Sequence, residues 1–318
     1  LVITKGMVGL IPGWQTVYEK SSATGSFRTT INLSRTTRRA CTSDLMRHAE
    51  IWVAANEMRE TLRGLGHGYT KKIKIRYPVG KPFQASVANP VDQWISFYRH
   101  GRSDISLYTI WHEMAHIWLY QHARFEGKIL TEFLANFMNG RPGTHNPQEK
   151  PFVSFNEGFA NFMDFQMRRL ILRKRLSRHE IPLPYTRTYL RSKSYLRTPA
   201  AVERNEFGWV SIFGLLTLKD IVDYDFNHRG PYAQKRTSKK RRSCRSMGYL
   251  SFRNILATFD PSPSRGYRYP IHMNELTFDR FYTRAARINK ALAVKDLSRY
   301  RMLITGSIPL QPEQLFCR

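Results

Sequence analysis

The amino-acid sequence predicts an α+β fold in which a small sheet and one apolar helix precede a mainly helical C-terminal half. Patterns typical of a helix, of short strands and of a second helix follow one another between residues 41 and 122. The second helix is mostly apolar over 105–119, as expected for a buried element. After it, apolar residues recur mainly at helical spacing, and this order of elements is typical of α+β proteins.

The composition is that of a globular protein without a membrane-spanning segment. The chain has 318 residues, of which 42% are hydrophobic and 13% aromatic, enough for one large or two modest domains. Its longest apolar stretches, such as 210–216, are far shorter than the roughly 20 residues that cross a bilayer. The cysteines, at positions 41, 244 and 317, are too dispersed for a metal-binding pair or a disulfide framework.

The net charge of +27, from 51 basic and 24 acidic residues, favours anionic partners such as acidic substrates, nucleic acid or anionic surface polymers. Basic residues concentrate between 168 and 178 and in a loop at about 228–248. No sequence module that reads nucleic acid accompanies this charge. A solvated surface and a flexible loop therefore explain the two basic runs better than specific nucleic-acid recognition does.

The first 40 residues are expected to be strand-rich, with β-prone pieces at 7–11, 16–18 and 27–33. A helix is then predicted from the cap Thr42-Ser43-Asp44 to about Leu65, where a series of glycines ends it.

Three strands are expected between this helix and the next one. Residues 72–77 alternate, with Ile73 and Ile75 on one face, and so predict a half-buried strand. The other two strand candidates are 83–87 and 93–98. The apolar helix that follows is predicted to begin near Asp104.

The C-terminal half is predicted to consist of helices joined by turn-rich or basic loops. Helical spacing predicts elements at 128–138, 152–176, 203–223, 250–259 and 276–293, and dense turn signals mark a loop at 139–151. We therefore expect three parts, which are a strand-rich segment over 1–40, a core over 41–180 and a helical subdomain over 181–318.

The sequence His112-Glu113-Met114-Ala115-His116, within the apolar helix, has a metal-binding pattern. On a helix, positions i and i+4 lie on the same face one turn apart, so both imidazoles can reach one metal ion. Glu113 projects beside them, where a carboxylate can take a proton from water held at the metal. Glu113 is therefore the candidate catalytic base, and His112 and His116 are candidate metal ligands.

A catalytic zinc site needs a third protein ligand, with water in the open position. Glu157 is the leading candidate, since it lies in the sequence Asn156-Glu157-Gly158-Phe159-Ala160 on a helix rich in phenylalanine. A carboxylate in such surroundings is costly unless it is paired or metal-bound. Gly158 has no side chain to block the close approach of a neighbouring helix.

Two other residues compete for the third ligand position. Glu132 opens the sequence Glu132-Phe133-Leu134-Ala135-Asn136, which echoes the one at Glu157 but follows His116 after only 15 residues. His122 lies six positions after His116, as in metzincins, but Leu119 occupies the position at which glycine lets a metzincin chain leave the helix. If the helix continues, His122 is rotated by roughly 240° from His116 about the helix axis, away from the metal.

An HExxH helix followed by a helix with Asn-Glu-Gly-Phe-Ala resembles the gluzincin metallopeptidases, which belong to the zincins. The resemblance implies a zincin-like core, one catalytic Zn²⁺ held by His112, His116 and Glu157, and Glu113 as the general base. It also implies a peptide or protein substrate and favours export to the cell envelope or beyond. The 40 residues at 117–156 exceed the spacing in the best-known gluzincins, and the loop at 139–151 could accommodate them. The GAMEN motif of the aminopeptidase branch is absent, so its specificity is not implied.

Further groups are expected around such a site. Asn161 and Glu206 are candidates to orient the metal ligands through hydrogen bonds, and Asp164 is a third. The oxyanion formed during amide hydrolysis can be stabilised by a Tyr or His donor. Candidates for that donor are Tyr249, Tyr232 and His272, followed by Tyr267, Tyr269 and His228.

Two other functions are compatible with these features besides peptide hydrolysis. One is a catalytically inactive binding protein with a zincin fold. The other is a basic protein that binds nucleic acid or an anionic surface, in which the HExxH sequence is incidental. The presence of Glu113 favours catalysis over the first alternative, and the combination of two motifs argues against the second.

Overall fold

The fold is a mixed α+β arrangement that is mostly helical and contains a small sheet, as the sequence predicts. The computed structural model describes residues 2–5, 15–19, 43–79, 86–90, 93–98, 105–124, 151–172, 199–217, 250–261, 263–273, 276–289 and 292–305. Backbone contacts divide the chain into two compact units, one of Leu1–Gly64 with Gly68–Gln121 and one of Leu65–His67 with His122–Arg318. The predicted boundaries near residues 40 and 180 remain a prediction.

The first unit contains a five-stranded sheet with the order β2-β1-β3-β5-β4. Its strands are β1 (Val2–Lys5), β2 (Gln15–Glu19), β3 (Lys74–Val79), β4 (Val87–Ala88) and β5 (Trp94–Tyr98). The three central strands run parallel, and β2 and β4 pair antiparallel at the two edges. Parallel neighbours require a crossover connection, and the helix that follows β2 lies within the connection to β3.

The strand predictions are confirmed where the structure describes the chain. Strand β3 overlaps the predicted 72–77, β5 the predicted 93–98, and β2 contains 16–18. Strand β1 lies within the segment predicted to be strand-rich, but no strand was predicted at its position. Of the candidate at 83–87, the structure describes only the end, where β4 begins. The pieces at 7–11 and 27–33 lie outside the described residues.

Alternation along β3 gives it one buried face. Ile73, Ile75 and Tyr77 are buried, whereas Lys72 and Lys74 are exposed. Across the sheet, the guanidinium of Arg76 lies 4.2 Å from the ring centre of Trp94 on β5. The predicted half-buried strand is therefore confirmed, with polar side chains outward and aliphatic ones inward.

Helices α1 (Ser43–Gly64) and α2 (Leu107–His122) complete the first unit, with His122 itself assigned to the second. Helix α2 begins three residues later than Asp104, because Ser106 accepts a hydrogen bond from the amide of Thr109 (3.1 Å) and so caps it. The indole of Trp111 donates to the carbonyl of Ala54 on α1 (3.0 Å). These bonds fix where α2 starts and how it lies on α1.

The second unit is helical where the structure describes it. Its helices are α3 (Pro151–Ile171), α4 (Pro199–Glu203), α5 (Glu206–Leu216), α6 (Phe252–Ala257), α7 (Phe278–Ile288) and α8 (Leu297–Ile304). Fully buried aromatic rings from α3, α5 and α7 form its core. Phe155, for example, lies 4.7 Å from Trp209 and 5.7 Å from Phe213 between ring centres. No helix in the described parts of the chain combines the length and apolarity needed to cross a membrane.

Several helix boundaries differ from the predicted ones for identifiable reasons. Of the predicted helix at 203–223, the structure describes α5, which begins at Glu206 because Asn205 accepts the amide of Trp209 on its carbonyl (3.2 Å) and that of Gly208 on its side-chain oxygen (3.4 Å). Residues 218–223 lie outside the described residues, and the short helix α4 before Asn205 was not predicted. The predicted 250–259 and 276–293 are shorter, since Ser251 and Thr277 cap α6 and α7. The sequence patterns did not indicate α8. The predicted helix at 128–138 and loop at 139–150 lie outside the described residues.

Helices α3 and α5 pack closely at Gly158. A Cβ atom placed on Gly158 would lie 2.4 Å from the Cβ of Trp209 and 2.6 Å from the carbonyl oxygen of Glu206. No side chain can occupy that space without moving one helix. The close helix approach that the sequence indicated at Gly158 is confirmed.

We expect Gly158→Ala to destabilise the protein by about 1–3 kcal/mol, because the added methyl group forces α3 and α5 apart. The free energy of unfolding in urea measures this. Gly64→Ala, where an added Cβ meets no atom within 4 Å, is the matched control and should leave stability unchanged or raise it slightly. Equal stabilities of the two variants would contradict the close packing.

Candidate metal centre

Helix α2 brings the two predicted histidine ligands together. The Nε2 atoms of His112 and His116 lie 3.1 Å apart, with ring centres 4.7 Å apart and ring planes at 87°. Two imidazole nitrogens bound tetrahedrally to zinc at about 2.0–2.1 Å would lie roughly 3.3 Å apart. Which nitrogen donates in this contact depends on the tautomers of the two rings, and an unprotonated imidazole nitrogen is the form that ligates a metal.

The carboxylate of Glu157 belongs to the same group. One ligand atom from each of His112, His116 and Glu157 lies within 4.8 Å of the other two. His116 is buried, whereas His112 and Glu157 are half-buried. Two imidazoles and one carboxylate form a donor set that zinc accepts, and such a set leaves one coordination position for water or substrate. The three residues therefore fit a divalent metal ion of the zinc type.

Burial on α3 supports a special role for Glu157. Its neighbours Asn156 and Phe159 are 1% and 0% exposed, so this helix carries a carboxylate between buried positions. A charged group in that setting is stabilised only by a partner of opposite charge, by hydrogen bonds or by a metal ion. Gly158, next to it, lets α5 approach α3 closely.

Glu113, the candidate base, is 7% exposed and lies on α2 directly after His112. A carboxylate this little exposed is kept from bulk water, so its interactions with neighbouring groups are stronger than those of a surface glutamate. The orientation of α2 that points both histidines to one side also fixes the direction in which Glu113 projects.

The two competing ligand candidates fare differently. Helix α2 continues through Leu119 to His122, so the chain does not turn out of the helix as a metzincin-type ligand would require. Instead, Nδ1 of His122 lies 3.0 Å from Oδ1 of Asp260. Glu132 lies outside the described residues. Within the part of the chain that the structure describes, the histidine pair is thus grouped with Glu157 and not with His122.

The proposed supporting residues have distinct surroundings. Asn161 is half-buried one turn after Glu157, and Glu206 is buried in the first turn of α5. Asp164 accepts two hydrogen bonds from Arg168, one of them from Nε at 3.1 Å, which indicates a structural ion pair. Asn161 and Glu206 remain candidates for orienting the metal ligands, whereas the carboxylate of Asp164 is paired with Arg168.

Of the oxyanion candidates, the structure describes His272, Tyr267 and Tyr269, which lie together along one segment of the second unit. There His272 forms a parallel bridge with Arg124, and the amide of Met273 donates to the carbonyl of Arg124 (3.1 Å). Tyr232, Tyr249 and His228 lie outside the described residues.

Sequence reasoning did not anticipate a cluster of two histidines about one aspartate. Asp260 accepts hydrogen bonds from Nδ1 of His67 (2.9 Å) and of His122 (3.0 Å). Burial raises the pKa of the Asp260 carboxyl, but the two histidines outweigh this and hold that pKa well below its usual range. The partners are 193 and 138 positions apart in sequence, so no local pattern could have indicated the cluster.

Comparison of the chain with protein-family models, curated proteins and solved structures finds no match. A function for the chain can therefore be inferred only from its own residues and their geometry.

We expect the Asp260 cluster to make stability depend on pH. Since its pKa is lower in the folded than in the unfolded protein, Asp260 stabilises the fold above about pH 4 and loses this effect as the pH falls further. Asp260→Asn should cost about 1–2 kcal/mol at pH 6, allowing for its partial exposure, and should flatten the decline of stability below pH 4. Unfolding free energies measured from pH 6 to pH 3 test this.

Asp296→Asn, which alters a carboxyl outside the cluster, is the control and should retain the steep acid limb of the wild-type curve. A curve for Asp260→Asn that runs parallel to the wild-type curve would contradict the assignment.

Proposed function

We propose that the chain is a zinc-dependent metallopeptidase of the gluzincin type, with a zincin-like core. The observation that carries the proposal is the grouping of His112, His116 and Glu157, whose ligand atoms lie within 4.8 Å of one another. The sequence patterns selected these three residues for one metal ion, and Glu157 lies 41 positions beyond His116, so local geometry alone does not account for the grouping. The buried Glu113 on the same helix adds the group that peptide hydrolysis needs.

The three ligands would hold the metal ion through two neutral imidazoles and one carboxylate. When bound, zinc polarises the carbonyl of the scissile bond and lowers the pKa of a coordinated water to about 7. Glu157 would contribute a negative charge that partly neutralises the ion, and a set of three protein ligands would leave one coordination position for water or substrate.

Glu113 acts as the proton carrier. Its carboxylate accepts a proton from the attacking water as the water oxygen forms a bond with the carbonyl carbon. The same proton then passes to the amide nitrogen as the carbon–nitrogen bond breaks, so one side chain serves as base and then as acid. Burial of Glu113 keeps competing water away from the carboxylate during both transfers.

The sheet offers a place for an extended substrate. Strand β5 is paired on both sides, with β3 and β4, whereas β4 pairs with β5 alone among the described strands. An unpaired strand edge can bind a peptide by adding it as a further strand. We therefore propose that the peptide backbone pairs with β4 and not with β5. This pairing at the sheet edge would hold the substrate in an extended conformation.

We expect Glu113→Gln to reduce peptide hydrolysis by at least about 10²–10⁴-fold, because an amide cannot carry the proton. Zinc content should be unchanged, since Glu113 is not a ligand. Hydrolysis of a mixed peptide library, followed by mass spectrometry, measures the loss. The control is Glu60→Gln, a glutamate of α1 that is paired with Arg63 and should keep full activity. Hydrolysis by Glu113→Gln at the wild-type rate would refute the mechanism.

We also expect His112→Ala and Glu157→Ala to lose bound zinc, with affinities at least about tenfold weaker than wild type. Metal analysis of the purified proteins, together with competition against a chelator, measures this. His122→Ala and Glu132→Ala are the controls and should retain zinc. Zinc retained by Glu157→Ala and lost by Glu132→Ala would assign the third position to Glu132 instead.

These measurements also separate the alternative functions. Tight zinc binding without hydrolysis of any library peptide would favour a binding protein with a zincin-like core. Absence of zinc combined with strongly salt-dependent binding to oligonucleotides would favour a basic nucleic-acid-binding protein.

A further inference from the structure

A groove of about 490 Å³ lies along α7 in the second unit, bounded on its other side by residues 266–272. Its volume falls within the range of about 300–1,000 Å³ that is common for ligand sites. The segment that forms this wall turns at Gly266, whose φ of +82° is readily adopted only by glycine. The groove is distinct in sequence from the candidate metal ligands.

The wall of the groove contains a buried cation that forms no ion pair with the described residues. Arg284 is 8% exposed, and its Nε and one Nη donate to the carbonyl oxygens of Thr258 (2.7 Å), Asp260 (2.8 Å) and Tyr269 (3.0 Å). Its guanidinium carbon also lies 4.4 Å from the ring centre of Tyr267. A buried charge that is met by carbonyl oxygens and a ring, without a paired carboxylate, is costly, and an anion would relieve that cost.

The second terminal nitrogen of Arg284 is available to such an anion. Its Nη1 forms no hydrogen bond with the described residues and is not among the side-chain nitrogens sealed from solvent. Burial lowers the pKa of the guanidinium, an effect that Tyr267 and Asp260 partly offset. The carboxylate of Asp260 is hydrogen-bonded to His67 and His122 and forms no ion pair with Arg284, so its effect on the guanidinium acts at longer range.

The rim of the groove is positive and aromatic. Arg268 and Arg280 are exposed, and the ring of Tyr269 is 65% exposed beside them. The acidic side chain in the lining, Asp279, is paired with Arg301. Ile271 and Leu276 supply a buried apolar floor. Positive charge therefore lies next to apolar surface within one groove.

We propose that this groove binds an acidic segment of a polypeptide, with a carboxylate at Arg284 and Arg268 and a neighbouring apolar side chain against Tyr269. A guanidinium matches a carboxylate in shape and can bind it through two parallel hydrogen bonds. Single-stranded nucleic acid requires instead a long track of cations with successive stacking rings. The groove offers a local charge beside an apolar floor, which suits a peptide with both acidic and apolar residues.

The experiment is a fluorescence anisotropy titration of the full chain with a labelled peptide of alternating Glu and Leu. The comparison probes are the alternating Gln and Leu peptide and a single-stranded DNA of the same net charge as the acidic peptide. Measurement at about 150 mM salt suppresses the diffuse attraction of a strongly basic protein. Since neither zinc nor Glu113 takes part in this binding, the result does not depend on the metallopeptidase proposal.

Arg268→Glu should weaken binding of the acidic peptide about tenfold or more, which corresponds to about 1.4 kcal/mol. Tyr269→Ala should weaken it less, and Arg253→Glu, the same charge change at an exposed position outside the groove, should alter it less than about twofold. Arg284→Gln should also lose binding, and circular dichroism checks that the variant remains folded. If it unfolds, Arg268→Glu and Arg253→Glu still decide the question.

Equal losses in Arg268→Glu and Arg253→Glu would refute the proposal, because they would show a diffuse charge effect. Equal affinities for the Glu-containing and Gln-containing peptides would also refute it. Tighter binding of the DNA, lost in Arg268→Glu, would assign the groove to nucleic acid instead.

Discussion

The rotation of α2 about its own axis determines the direction in which the histidine pair points. Each residue turns a helix by about 100°, so a rotation by one position would turn the face that carries both His112 and His116 in another direction. Two hydrogen bonds oppose such a shift, from Trp111 to Ala54 (3.0 Å) and from the hydroxyl of Tyr69 to the carbonyl of Met114 (2.9 Å). Near the end of the helix, the side-chain amide of Gln121 forms hydrogen bonds with residues 70 and 71 and with Gln93. Metal chemistry requires such fixed placement more than it requires stability.

A different kind of constraint holds α3, the helix of Glu157. The rotation of α3 is determined by its packing against α5. At Gly158 the backbone of α5 lies closer to α3 than any side chain at that position would allow. Trp209 locks α5 in turn, since its indole donates to the carbonyl of Glu203 (2.9 Å) while its ring meets Phe155. Aromatic packing and a glycine thus orient Glu157 on α3, whereas hydrogen bonds orient the two histidines on α2.

Local patterns predicted the parts of this protein whose cause is local. The i, i+4 spacing of His112 and His116, the alternation around Ile75 and the glycine after Glu157 each follow from the geometry of a single helix or strand. What could not be predicted depends on distant partners. Val2 on β1 pairs with Lys74 on β3, 72 positions further along the chain, and Asp260 contacts His67, 193 positions away. The start of α5 was predicted three residues too early, because Asn205 caps the helix and periodicity alone does not show at which residue a cap acts.

The net charge of the chain does not show at which site an anion would bind. Several arginines already have specific structural contacts, such as Arg168 with Asp164, Arg301 with Asp279 and Arg76 over Trp94. Their charge is compensated or screened, so it adds little to binding at any one place. Arg284 differs because its guanidinium is buried and, among the described residues, contacts three carbonyl oxygens and the ring of Tyr267 but no carboxylate in an ion pair. The interaction energy between two charges increases as solvent is removed from around them. One buried guanidinium would therefore contribute more than many exposed ones to the position at which an acidic ligand binds.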